Sequence, residues 1–169
     1  MSQEQIVDAA APSGRPTAVV IYAAITILGV ISALTVKGYT DDAYELGAIV
    51  IGSTLALIIA HAWSEVLATA MFSRTPLSRD LLLHEFKFAA YMGIPAGLTV
   101  LLLLVMEFLS QSFDVAVLAV MLAIVALLFV AATVGSRRQE YGWGRSLAWG
   151  VASALVGLIA VVVKVVLGA

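Results

Sequence analysis

The chain has 169 residues, of which 62% are hydrophobic and only 12% are charged, and its formal net charge at pH 7 is −2. A soluble domain is nearer half apolar and a quarter charged. The sequence contains no cysteine, which excludes disulfides, thiolate metal sites and cysteine nucleophiles. The small net charge, without a basic patch among aromatic residues, argues against nucleic-acid binding. This composition predicts a multi-pass protein whose partner is a lipid bilayer, in a bacterial cytoplasmic (plasma) membrane.

Five apolar segments are long enough to cross a bilayer, since a transmembrane helix needs about 20 residues. No segment alternates apolar and polar residues as a barrel strand does, so the predicted fold class is all-α. We expect a mobile cytoplasmic tail over residues 1–15 and one transmembrane domain of five helices over residues 16–169. The predicted helices cover about residues 17–36, 44–72, 77–109, 115–134 and 147–167.

The basic residues predict the orientation of the five helices. The tail and the connectors between helices 2 and 3 and helices 4 and 5 hold seven of the nine Lys and Arg residues. The positive-inside rule therefore predicts a cytoplasmic N-terminus and an outer C-terminus. The outer side then collects acidic residues that could attract cations, although the same distribution follows from basic residues being held inside. These acids are Asp41, Asp42, Glu45, Glu107 and Asp114.

The second predicted helix carries two ionisable residues, His61 and Glu65, inside its apolar run. Such residues are costly in lipid, by about 3 kcal/mol each on insertion scales, and they indicate a cavity, a partner or a function. At 100° per residue, one helix face within about 40° of His61 is small or polar. Its members are Gly47, Thr54, His61, Glu65 and Ala68. We expect Thr54, His61 and Glu65 to line a transport path.

Three roles remain open for this pair. A carboxylate and an imidazole one turn apart can share a divalent metal ion, with His84 and Glu85 at the start of the third helix as further ligands. They can also hold and pass a proton, or form a structural pair that closes the bundle. No zinc-hydrolase signature, phosphate loop or nucleophile elbow is present, so we predict no catalytic residues. A metal-dependent membrane enzyme, which would need three or more ligands and a site open to substrate, is the less favoured interpretation.

Small residues predict where helices pack closely. Gly93 and Gly97 have the small-xxx-small spacing of close helix contacts, and Pro95 between them predicts a kink because it lacks a backbone N–H. In the last helix, Gly150, Ala154 and Gly157 form a smooth stripe. That stripe suits a neighbouring helix of the same chain or a second copy.

Two segments, Ala126-Leu-Leu-Phe-Val-Ala-Ala-Thr-Val-Gly-Ser-Arg-Arg and Gly144-Arg-Ser-Leu-Ala-Trp-Gly-Val-Ala-Ser-Ala-Leu, resemble the last two helices of the vacuolar iron transporter family. The resemblance implies five helices and a dimer that exchanges divalent metal for protons. Glu65 falls about where the family places a Glu late in its second helix. The first helix lacks the family's Gly-x-x-Asp-Gly motif, and the connector between helices 2 and 3 is too short for its Glu-rich domain.

Taken together, these patterns predict a small, dimeric membrane protein that moves a cation through the polar face of the second helix. The cation would be a divalent metal ion or a proton, and a bound divalent metal is the one cofactor that the residues suggest. The alternative is a non-transporting subunit, scaffold or regulator that binds other membrane proteins.

Overall fold

The computed structural model describes residues 15–73 and 78–167, and every regular element in these ranges is helical. The predicted tail, except Arg15, lies outside the described residues. The helices, in chain order, are α1 (Arg15–Val36), α2 (Ala43–Ser73), α3 (Arg79–Ala89), a 3-10 turn (Ala90–Met92), α4 (Gly93–Phe108), α5 (Phe113–Arg138) and α6 (Trp143–Leu167).

The described part of the chain contains five helices that are long and apolar enough to cross a membrane, because α3, the 3-10 turn and α4 form one continuous span from Arg79 to Phe108. The prediction of an all-helical chain with five such segments is confirmed. α2 has 31 residues, about 46 Å at 1.5 Å per residue, so in a bilayer with a hydrocarbon core of about 30 Å it would tilt or project.

Two helix ends show why the predicted boundaries moved. The third span begins at Arg79, because the Ser78 side chain caps it by accepting a hydrogen bond from the Leu81 backbone N–H at 3.1 Å. α5 continues to Arg138, four residues beyond the predicted end. Arg137 and Arg138 in its last turn interact favourably with the negative end of the helix dipole, whereas apolar patterning alone stops at the last aliphatic residue.

The break in the third span lies at Ala90–Met92, just before Gly93 begins α4. Pro95 has no N–H to donate to the carbonyl of Tyr91, so the helix tightens into a 3-10 turn at this point. The sequence predicted a kink near Pro95, and the structure shows a 3-10 turn three to five residues before it.

α1 is the central helix of the bundle and packs against all the other helices. Its buried aliphatic face meets a core contributed mainly by α2, α4 and α5; this core includes Ala24, Leu28, Ile31, Leu46, Val50, Leu103, Val117, Met121, Ile124 and Leu128. A smaller apolar cluster, which we call the apolar layer, consists of Val19, Ala23 and Met92 with Leu57 and Ile58 packed on it. Because α1 is central, its first described residue, Arg15, reaches both α2 and α3.

Two glycines of α6, Gly150 and Gly157, pack inside the chain. A Cβ atom added to Gly157 would lie 2.7 Å from Leu128 Cδ1, and one added to Gly150 would lie 3.0 Å from the Phe129 carbonyl oxygen. Ala154 between them is half-buried. A Cβ atom at Gly93 or Gly97 would meet nothing within 4 Å. The α6 stripe is therefore used against α5, and the α4 pair faces open space.

We expect Gly150→Ala to lower the thermal stability of the purified protein, because its methyl group would collide with Thr133 and with the rigid backbone of Phe129. Overpacking of this kind costs about 1–3 kcal/mol. Gly97→Ala is the matched control, since the same change there enters open space. Equal melting temperatures for both variants in the same detergent would contradict the close α5–α6 contact.

Candidate ion site

Glu65 of α2 is bound by Arg15, the first described residue of α1. Arg15 Nη2 lies 3.1 Å from Glu65 Oε2 on α2 and 2.7 Å from Glu85 Oε2 on α3. One guanidinium nitrogen therefore donates to carboxylates from two other helices. We call these three side chains the Arg15 cluster. The cluster joins the start of α1 to α2 and α3.

The members of the Arg15 cluster differ in burial. The Glu85 side chain is 5% exposed, whereas those of Arg15 and Glu65 are 29% and 39% exposed. A buried carboxylate is tolerated only with a partner that offsets its desolvation. For Glu85 that partner is Arg15. The Arg15 guanidinium carbon also lies 5.1 Å from the centre of the Phe88 ring, a cation–π contact that fixes it further.

The sequence of α3 explains why Glu85 points inward. Glu85, Phe88 and Ala89 are three and four residues apart, so they share one face of the helix. Glu85 and Ala89 on this face are buried, while Arg79 and Lys87 are exposed. α3 is therefore an amphipathic helix whose inner face carries a carboxylate. The sequence placed Glu85 at the membrane boundary but did not reveal its burial.

His61 shares a cavity with the Arg15 cluster. This cavity, which we call the charged cavity, has a volume of about 300 Å³ and is lined by Arg15, Ala18, Val19, Tyr22, His61, Glu65 and Met92. The carboxylate of Glu65 is bound to Arg15 rather than to the imidazole one turn away. The structure thus brings His61 and Glu65 into one cavity and adds Arg15, which sequence reasoning had assigned to the tail. The sequence feature that could have identified Arg15 is its position at the start of a helix that carries no other charged residue.

His84 is not among the residues that line the charged cavity. Its ring packs edge-on against Phe88, with ring centroids 4.9 Å apart. Within residues 15–73 and 78–167, no group of three or more His, Asp or Glu residues could hold a metal ion. Metal ligation by His61, Glu65, His84 and Glu85 therefore stays a prediction, and the donor pair that the fold does assemble is already bound to a guanidinium.

Thr54 lies outside the charged cavity. It lines an apolar groove of about 420 Å³ between α2 and α4, together with Ile51, Leu55, Ile58, Gly93, Ala96, Gly97, Val100, Leu101 and Leu104. Thr54 is 4% exposed, and its hydroxyl has no hydrogen-bond partner among the described residues. The predicted transport-path residues are therefore divided between two cavities.

The apolar layer separates these two cavities. Met92 lines the charged cavity, Ile58 lines the groove, and both belong to the layer. Met92 is fully buried. A wall of apolar side chains obstructs water and ions, as hydrophobic constrictions in channels do. The polar face of α2 is consequently interrupted between Thr54 and His61 by apolar side chains from α1, α2 and the 3-10 turn.

Comparison with protein-family models, with curated proteins and with solved structures gives no match to this chain. The resemblance of α5 and α6 to the vacuolar iron transporters stays a prediction made from their residues. The fold itself establishes a helical chain with five segments suited to a membrane, and a charged cavity at one end of it.

Proposed function

We propose that this protein moves a cation across a bacterial cytoplasmic membrane and that the cation is a proton, exchanged at the Arg15 cluster. The observation that carries the proposal is the sharing of one guanidinium by two carboxylates beside an imidazole. The charge pattern of the connectors supports a cytoplasmic position for this cluster, with the N-terminus inside and the C-terminus outside.

The charges of the cluster suit proton exchange. With both carboxylates ionised, Arg15, Glu65 and Glu85 carry one net negative charge. Net charge is costly beside a carboxylate as buried as that of Glu85, which is 5% exposed. One added proton makes the cluster neutral and leaves the guanidinium paired with the remaining carboxylate. The cluster can therefore accept and release a proton without leaving an unpaired buried charge. His61 adds an imidazole, the side chain best suited to passing protons near neutral pH.

The same charges disfavour a divalent metal ion. The guanidinium occupies the position between the carboxylates that a metal ion would take, and it repels a dication. A metal ion would bind only after Arg15 had left both Glu65 and Glu85. The proton needs no such displacement, so it is the cargo that the geometry favours among the two cations predicted from the sequence.

A flux assay tests this assignment. Purified protein is reconstituted in liposomes that enclose a pH-sensitive dye, with a potassium gradient and valinomycin to balance charge. We expect Glu65→Gln to reduce proton flux at least about tenfold, which corresponds to ~1.4 kcal/mol of barrier. Glu107→Gln is the control, because that carboxylate is exposed at the far end of α4.

Each outcome of the assay is decisive. Equal proton flux in the wild-type and Glu65→Gln proteins would refute the role of Glu65. Parallel liposomes with a metal-sensitive dye test Mn²⁺ and Zn²⁺. Metal flux that requires Glu65, without proton flux, would replace the proton by a metal ion as the cargo.

A second candidate function rests on the groove between α2 and α4. The groove is apolar, and Gly93 and Gly97 in it leave room for the close approach of another helix. A helix of a second copy in this groove would give the dimer, and a helix of another membrane protein would make the chain a subunit or regulator. This function predicts co-purification of the partner and no flux. Gly97→Leu would then disrupt the complex without altering the monomer fold.

A further inference from the structure

A cavity at the arginine-rich end of the bundle is separate from the charged cavity. It has a volume of about 290 Å³ and lies between α1, α5 and α6. Its polar lining consists of Thr17, Ser136, Gln139, Trp149 and Ser153, and the remainder is apolar. The proposed proton exchange makes no use of these residues.

The polar groups of this cavity are available to a ligand. Within residues 15–73 and 78–167, the side chains of Thr17, Ser136, Gln139 and Ser153 form no hydrogen bond. They supply three hydroxyl groups and one carboxamide, all of which can donate to a phosphate ester or a glycerol oxygen. Thr17 is packed against Gly135, where an added Cβ would lie 2.6 Å from its Cγ2 atom. The cavity wall is therefore a tight contact between α1 and α5.

The segment that flanks the cavity, residues 136–146, is positively charged. Residues 136–146 contain three arginines and one acidic residue, Glu140. Arg137 donates to the Tyr141 carbonyl oxygen at 2.6 Å and lies 4.5 Å from the Trp143 ring centre, and Arg145 lies 4.5 Å from that of Tyr141. Arg137 follows the cavity residue Ser136 in the chain, and Arg145 lies one helical turn before the cavity residue Trp149. The cation–π contacts restrain both exposed guanidinium groups and so reduce the entropy lost on binding an anion.

The cavity lies at the end of α5 that carries the arginines, a position that suits the lipid headgroup region. α5 has 26 residues, about 39 Å at 1.5 Å per residue, so its arginine end extends beyond a hydrocarbon core of about 30 Å. Trp143 and Trp149 on α6 are exposed, as in the aromatic belts that mark the headgroup level. The cavity is partly polar and partly apolar. Such a site fits a molecule with an anionic head and an apolar body better than it fits free phosphate.

We propose that the cavity between α1, α5 and α6 binds an anionic phospholipid, with its phosphate beside Arg145 and Gln139 and its glycerol near Thr17 and Ser153. Basic pockets between transmembrane helices on the cytoplasmic side recognise anionic headgroups by such charge-assisted hydrogen bonds. The bound lipid would join α1 to the α5–α6 pair.

Lipid-dependent unfolding of the full-length protein in an uncharged detergent tests the proposal. Phosphatidylglycerol is compared with phosphatidylcholine of the same acyl chains and with inorganic phosphate. We expect phosphatidylglycerol to raise the melting temperature by about 5 °C at saturation and phosphatidylcholine to have little effect. Stabilisation by inorganic phosphate alone would mean a phosphate-ion site and would overturn the lipid assignment.

Matched variants distinguish a specific lipid site from a general attraction of anionic lipid to basic residues. We expect Arg145→Gln and Gln139→Leu to weaken phosphatidylglycerol binding about tenfold, as measured by native mass spectrometry. Arg79→Gln, an exposed arginine on α3, should leave binding unchanged. Equal losses for Arg79→Gln and Arg145→Gln would overturn the site. If Gln139→Leu alters the fold, Ser153→Ala serves as the conservative cavity variant. Unchanged binding of phosphatidylglycerol in both Ser153→Ala and Arg145→Gln would overturn the proposal.

Discussion

Arg15→Gln is expected to destabilise the protein by about 3 kcal/mol, the lower end of the range for breaking a buried ion pair. The lower end applies because the Arg15 side chain is 29% exposed, so water compensates in part. The cause is Glu85, whose carboxylate is 5% exposed and would lose its guanidinium partner. Adding Glu85→Gln should restore most of the lost stability, because the neutral amide removes the unpaired charge. Unfolding of the single and double variants in the same detergent measures this coupling.

Glu65→Gln provides the control for this cycle. Its carboxylate is 39% exposed, so removing its charge should cost less than about 1 kcal/mol. Strictly additive effects of Arg15→Gln and Glu85→Gln would show that the two side chains are independent and would contradict the Arg15 cluster as an interacting unit.

Met92→Ala is expected to increase proton flux at least about tenfold, because it removes the largest fully buried side chain of the apolar layer. The apolar layer between the charged cavity and the groove would become thinner, and water could enter the space left by the side chain. The measurement is the liposome assay with the pH-sensitive dye. The prediction depends on the proposed proton transport, so wild-type flux is measured first.

Met71→Ala is the matched control, since Met71 is 77% exposed on α2 and lies outside the apolar layer. Its flux should equal that of the wild-type protein. If Met92→Ala left flux unchanged while remaining folded by its melting curve, the apolar layer would not be the barrier. That result would leave the exchange of protons at Glu65 intact, because the two variants test different steps.

The helix positions could be predicted because an apolar segment needs about 20 residues to cross a bilayer, and five segments reach that length. α1 and α2 begin and end within about two residues of their predicted bounds. The boundaries that moved depend on polar groups that a hydropathy pattern does not weigh. Ser78 caps α3 by a side-chain hydrogen bond, and the arginines at the end of α5 extend it beyond the last aliphatic residue.

The candidate site was predictable only in part. His61 and Glu65 could be identified from the sequence because ionisable residues inside an apolar helix are costly in lipid and therefore indicate a partner or a function. The partner of Glu65 is Arg15, 50 positions away, and Arg15 also binds Glu85, 70 positions from itself. No periodicity within one helix indicates which residues of other helices will meet it. The helical wheel also grouped Thr54 with His61, but the packing of Met92 and Ile58 separates them.

The sequence by itself determined the number of helices and the unusual presence of His61 and Glu65 within one of them, since both follow from the local cost of placing residues in lipid. Tertiary structure decided which charges pair, which glycines pack and where the cavities lie. The physical reason is that these features depend on the rotation and register of each helix against its neighbours. Packing sets that rotation, and here it places α1 at the centre with Arg15 between two carboxylates.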